Sequence, residues 1–222
     1  MKKLFRLLPV ICAALFLSGC MHIHLTLNVD SKARVKETMR LLYQEKYMSQ
    51  MSQFAQDSNL DSMLADLQNS FQEQFPDAKI TVVKEGEGDD AYAGVEISGY
   101  ASEEGTYTCK KENNTITLEI PVNGFAQSLA QLTDMENSYT DFADLRQYGV
   151  EALITVYMPG QAKTNAGSVR GRQVTIDMLD LPSGVDTVTI TCKTVDYTMI
   201  LMIIAAAILG GAIGFAKARR KG

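Results

Sequence analysis

Two uncharged apolar segments bracket this chain of 222 residues, and they constrain its folding more than anything between them. Tyr197 to Ala216 is a run of twenty residues without a charge, including MILMIIAAAILGGAIGFA, followed by the basic KARRKG. A helix of that length matches the roughly 30 Å hydrocarbon core of a bilayer. The pattern therefore predicts a transmembrane helix over 197–216, with Tyr197 at the outer interface and a basic cytoplasmic tail over 217–222 by the positive-inside rule. Gly210 and Gly214, with Ala206 on the same face, read as the small residues usual in such helices or as a close-approach dimer face. At the other end, Lys2, Lys3 and Arg6 precede an apolar run from Leu7 to Leu17 and the small Ser18 and Gly19, the layout of a secretion signal too short to be a span.

Leu17-Ser18-Gly19-Cys20 looks like the lipobox of bacterial lipoproteins, which implies removal of 1–19 and a diacylglycerol on the thiol of Cys20. Residues 20–196 are then expected to be an extracytoplasmic domain held at a bacterial cell membrane by a lipid and by a single span. All 26 acidic residues fall between 21 and 196, against 14 basic ones, so that body carries a net −12 while the whole chain carries −5. Nucleic acid, bound mainly by neutralising phosphates, is not expected as a partner. A membrane surface is usually anionic as well, so an anchor would have to hold this domain against its own charge.

Within the body, Met21 to Val29 alternates strictly and reads as a half-buried strand. From Asp30-Ser31, the spacing of Val35, Met39, Leu42, Met48, Met51 and Phe54 predicts a helix. A second helix is expected from Ser58, with Asp61 completing a capping box, through Leu60, Met63, Leu64, Leu67, Phe71 and Phe75 to the stop at Pro76. Strands are read at Lys79–Lys84, Tyr92–Ser98, Thr106–Lys111, Thr115–Ile120, Glu151–Tyr157, Gln173–Leu179 and Thr187–Lys193, with helical spacing between Phe125 and Tyr148. The expected fold is α+β, a largely antiparallel sheet of about eight strands with helices on one face, plus the C-terminal transmembrane helix. The first and last strands, each next to an anchor, are expected to be antiparallel neighbours.

The inventory for chemistry is short. His22 and His24 share one strand face with no third ligand or triad partner signalled, and read as solvated residues near the headgroups or as a pH-responsive pair. Cys109 and Cys192 read as a disulfide or as two buried free thiols. The acidic turn Glu85–Asp90 lacks the spacing of an ordered calcium loop, and Gly160, Gly167 and Gly171 precede a strand, so no phosphate cradle is implied. Asn113-Asn114-Thr115 matches a glycosylation sequon by chance. No catalytic residue, metal or cofactor is expected; paired carboxylates such as Glu96 or Glu119 facing Asp177 would be needed for an enzyme. Methionines and aromatics crowd the helical faces, serving either the core or an irregular apolar ligand such as an acyl chain.

The order of these parts resembles the LppM-like bacterial lipoprotein domain family. The resemblance is carried by the lipobox, the immediate strand MHIHLTLNVDS, and Met158-Pro159-Gly160 leading through Asn165-Ala166-Gly167-Ser168-Val169 and Gly171 into Val174-Thr175-Ile176-Asp177. The helical segment after the first strand is longer than the family pattern, and Ile176 stands where a tryptophan is expected. The resemblance implies an α+β envelope module that binds a lipid or glycolipid, with no catalytic residues to carry over. The alternative is an acidic scaffold that recruits a basic envelope protein or cell-wall groups without a small ligand.

Overall fold

Alternating apolar residues commit a strand to having one wet face and one dry face, and the first strand does this over its whole length. The computed structural model describes residues 21–54, 59–99, 106–122, 146, 149–182 and 184–194. Strand β1 (Met21–Val29) turns Met21, Ile23, Leu25, Leu27 and Val29 into the core and His22, His24, Thr26 and Asn28 to the opposite face. It is followed by β2 (Val35–Gln44), paired antiparallel from Met21 opposite Tyr43 to Val29 opposite Val35. The turn between them is built by Asp30, whose carboxylate accepts the amides of Lys32 and Arg34 at 2.8 and 3.0 Å, with Ala33 at a φ of 60°.

This hairpin replaces the first half of the helix expected after Asp30. Val35, Met39 and Leu42 fit a helical period, but Val35, Glu37, Met39, Leu41 and Tyr43 fit a period of two equally well. Asp30 uses its oxygens on a turn, not on a helix start, and β1 offers the second strand a complete ladder. Helix α1 (Glu45–Phe54) then forms, and α2 (Leu60–Gln74) follows. Asn59, not Ser58, caps α2, its side-chain oxygen accepting the amide of Ser62 at 2.8 Å; Ser58 lies outside the described residues.

The remaining strands are β3 (Lys79–Glu85), β4 (Tyr92–Ser98), β5 (Thr108–Glu112), β6 (Thr115–Pro121), β7 (Glu151–Tyr157), β8 (Ala162–Thr164), β9 (Ser168–Arg170), β10 (Gln173–Asp177) and β11 (Thr187–Lys193). They do not form one sheet of about eight strands. Seven assemble in the order β3-β4-β2-β1-β7-β10-β9 and four in the order β5-β6-β11-β8. Each pair is antiparallel except β1 with β7. Both sheets turn apolar faces into one continuous core: Leu27, Ile97, Ile154 and Ile176 from the larger, Ile116, Leu118, Val188 and Ile190 from the smaller. Two facing sheets bury the alternating strands that a helical layer would otherwise have to cover.

Among the described residues helices are correspondingly few. Helix α2 packs on β3 and β4 through Leu64, which is buried, with Met63, Leu67, Phe71 and Phe75 half-buried against the core. The expected α+β architecture is thus corrected to a mostly β, two-sheet one. Because β1 and β11 belong to different sheets, they are not paired neighbours. Among the described residues no helix is long and apolar enough to cross a membrane. The single-pass architecture with a cytoplasmic C-terminus is therefore not what the described residues show. The segments expected to be the signal, the lipobox with Cys20, the helix between Phe125 and Tyr148 (Arg146 apart), the span and the basic tail lie outside the described residues.

Candidate functional site

The outer face of the seven-stranded sheet follows from register. In β1, the residues that alternate with the core are His22 and His24. The parallel partner β7 sets Glu151 opposite His22, and the antiparallel partner β2 sets Leu42 there. Glu151 therefore meets both imidazoles: the ring of His24 donates from Nε2 to Oε1 at 2.8 Å, and Nε2 of His22 lies 3.9 Å from Oε2. The three ligand-capable atoms lie within 4.8 Å of one another. The two rings stack with centroids 5.6 Å apart, and Tyr92 from β4 also stacks on His22. Burial pulls the imidazole of His22 below its ordinary pKa of 6.5, while the carboxylate of Glu151 opposes the shift and His24 adds to it.

Beside this cluster is a shallow depression of about 450 Å³, bordered by His22, Arg146, Glu151, Leu153, Asp177 and Leu179. The Arg146 guanidinium donates to Asp177 and lies 3.9 Å from Asp180. On the other flank, Arg40 binds Glu96 at 2.7 Å and Glu85 at 2.6 Å. The side-chain amide of Gln44 donates to the carbonyl of Asp89, so β2 ties down the acidic turn after β3. The outer face thus carries groups of both signs, most of them already matched.

Sequence-derived candidates fare differently. His22 and His24 sit on one face as read, but β7 supplies the carboxylate that spacing along the chain did not point to. Glu96 and Asp177 are each engaged by an arginine, and Glu119 belongs to the other sheet, so the three carboxylates do not converge. Cys109 on β5 is half-buried, Cys192 on β11 is buried, and both thiols are free. Strand β6 lies between them. Two strand spacings of about 4.8 Å each put the backbones beyond the roughly 7 Å that a disulfide can bridge. Of the methionines on the expected helical faces, Met48 is buried and Met63 packs on the core, the ordinary use of such residues. Cys20, the expected lipid attachment, lies outside the described residues, immediately before β1.

No family model matches the chain, and no curated protein matches it. Among solved structures it is similar to the folded domain of the Mycobacterium tuberculosis LppM protein, determined by NMR, at 12% identity and a TM-score of 0.43. The match covers 81% of this chain and 92% of that one. The likeness is one of distant fold outline, and no family membership follows from it.

Proposed function

We propose that this chain is an envelope-associated lipoprotein domain that binds the hydroxylated head of a lipid or glycolipid on the outer face of its larger sheet. One observation carries the reading: the depression bordered by His22, Arg146, Glu151 and Asp177 opens at the end of β1 that directly follows Cys20. Two residues of extended chain span at most about 7 Å. An acyl group on Cys20 would therefore hold the depression at headgroup depth. A rim with a guanidinium, carboxylates and imidazole offers donors and acceptors together, which suits hydroxyls better than a bare phosphate. The stacked rings of Tyr92 and His22 add a flat apolar platform beside it.

Full-length protein purified in mild detergent, followed by lipid extraction and mass spectrometry, tests this. A co-purifying amphiphile that is depleted by Arg146→Ala and by Asp177→Asn is expected. Protein that returns empty, or lipid retained equally by both variants, would overturn the reading. Cys20→Ser should separately abolish acyl labelling.

A further inference from the structure

We infer that His22, His24 and Glu151 form a binding site for a divalent transition-metal ion of the zinc kind, with an open coordination position facing solvent. The inference rests on the geometry of these three side chains and does not depend on lipid binding or on acylation of Cys20.

Strand β1 presents two imidazoles two residues apart on one face, and β7 delivers a carboxylate between them. Zinc takes nitrogen ligands at about 2.0–2.1 Å and carboxylate oxygen at about 2.0–2.2 Å, so tetrahedral ligand atoms stand roughly 3.4 Å apart. The three atoms here already lie within 4.8 Å, and Glu151 lies 2.8 Å from one nitrogen and 3.9 Å from the other. Binding would require side-chain rotation to bring the three atoms to that spacing. All three side chains are partly exposed, at 21% for His22, 30% for His24 and 38% for Glu151, which leaves a route in and room for a fourth ligand such as water. On binding, the hydrogen bond from Nε2 of His24 to Oε1 is exchanged for two bonds to the ion, and the imidazole proton moves to Nδ1.

Charge and donor type select the ion. Among the described residues the ion-pair partners of Glu151 are the two histidines alone, whereas Glu85 and Glu96 are matched by Arg40 and Asp177 by Arg146. Among the described residues, then, no arginine or lysine forms an ion pair with this carboxylate. Two imidazoles and one carboxylate suit zinc, nickel, copper or ferrous iron, and not calcium or magnesium, which require several oxygens. Tyr92 stacked on His22, with centroids 4.1 Å apart, holds that ring in place before any ion arrives.

The test uses full-length protein without a histidine tag, stripped with a chelator and titrated with zinc by calorimetry. One equivalent per chain is expected, with no heat from calcium. Loss of a mere outer-shell partner typically costs a metal site 10–100-fold in affinity, so His22→Ala, His24→Ala and Glu151→Gln should each weaken binding by at least about 100-fold. Cys109→Ala should leave it unchanged. Glu151→Gln keeps size and shape, so its circular dichroism and metal-free melting temperature serve as the folding control. No stoichiometric binding, binding that survives all three ligand changes, or binding lost in Cys109→Ala would each overturn the assignment.

Discussion

The ring of Tyr92 on β4 lies against the imidazole of His22 on β1, centroids 4.1 Å apart and planes 24° apart, although β2 runs between the two strands. The pair bridges over Leu42, which points to the outer face yet is 1% exposed. Tyr92→Ala should uncover Leu42 and cost about 1–3 kcal/mol, read from denaturant unfolding. The same change should raise the His22 pKa toward 6.5, because burial is what lowers it. An NMR titration of the imidazole that shows no upward movement would refute this account of the shift.

Gly94 pairs with Leu42 across β2 and β4 with no space for a side chain: a Cβ there would collide with the backbone carbonyl of Leu41. Because the obstacle is backbone, Gly94→Ala should separate the central strands and cost about 3 kcal/mol. Gly171→Ala supplies the contrast. Its φ is 62° with open space around the missing Cβ, so only the backbone penalty of about 1–2 kcal/mol is expected. Thermal melts of the two variants should rank them in that order.

The Asp30 turn predicts an acid response. Bonds from the amide and guanidinium of Arg34 and from the amide of Lys32 hold its carboxyl at about 2, below the ordinary 3.8. A lowered carboxyl pKa stabilises the fold above the ordinary value, and the contribution fades as pH falls from about 4 toward 2. Wild type should therefore lose stability more steeply than Asp30→Asn across that window in urea melts. The difference should be modest, since water reaches the carboxylate, whose side chain is 39% exposed, and screens its bonds. Parallel profiles would show that the turn makes no pH-linked contribution.

Cys109 predicts the opposite end of the scale. Burial, with help from Cys192 and the Asp30 carboxylate, pushes its thiol up to about 11. Alkylation needs the thiolate. Its rate with iodoacetamide should be slow at pH 8 and rise about tenfold per pH unit without levelling near 9. Rapid labelling at neutral pH would contradict the half-buried, unpaired thiol described above.

What could be read along the chain was whatever a single strand decides for itself. Met21–Val29, Glu151–Tyr157 and Thr187–Lys193 alternate so regularly that their bounds are visible without a partner. Strand β2 was not, because Val35, Met39 and Leu42 serve a period of 3.6 as well as one of two, and only β1 decides between them. Strands β8 and β9 span three residues each, too few to show any period. The division into two sheets has no local signature at all. The candidate site divides the same way: His22 and His24 announce themselves as a pair, while Glu151 is recruited by the register of two strands far apart in sequence.

That register has a consequence for how the molecule comes into being. Strand β1 is the middle of the larger sheet, and one of its two neighbours is β7, whose Glu151 is 127 residues beyond His24. The hairpin with β2 can close while the chain is still short, but the parallel pairing must wait for a loop of more than a hundred residues and bear its entropy. Until it closes, the two histidines stand on an open sheet edge. The cluster of His22, His24 and Glu151 therefore marks a finished molecule: no fragment ending before β7 contains it, and a chain that has not joined its first strand to its seventh has histidines but no site.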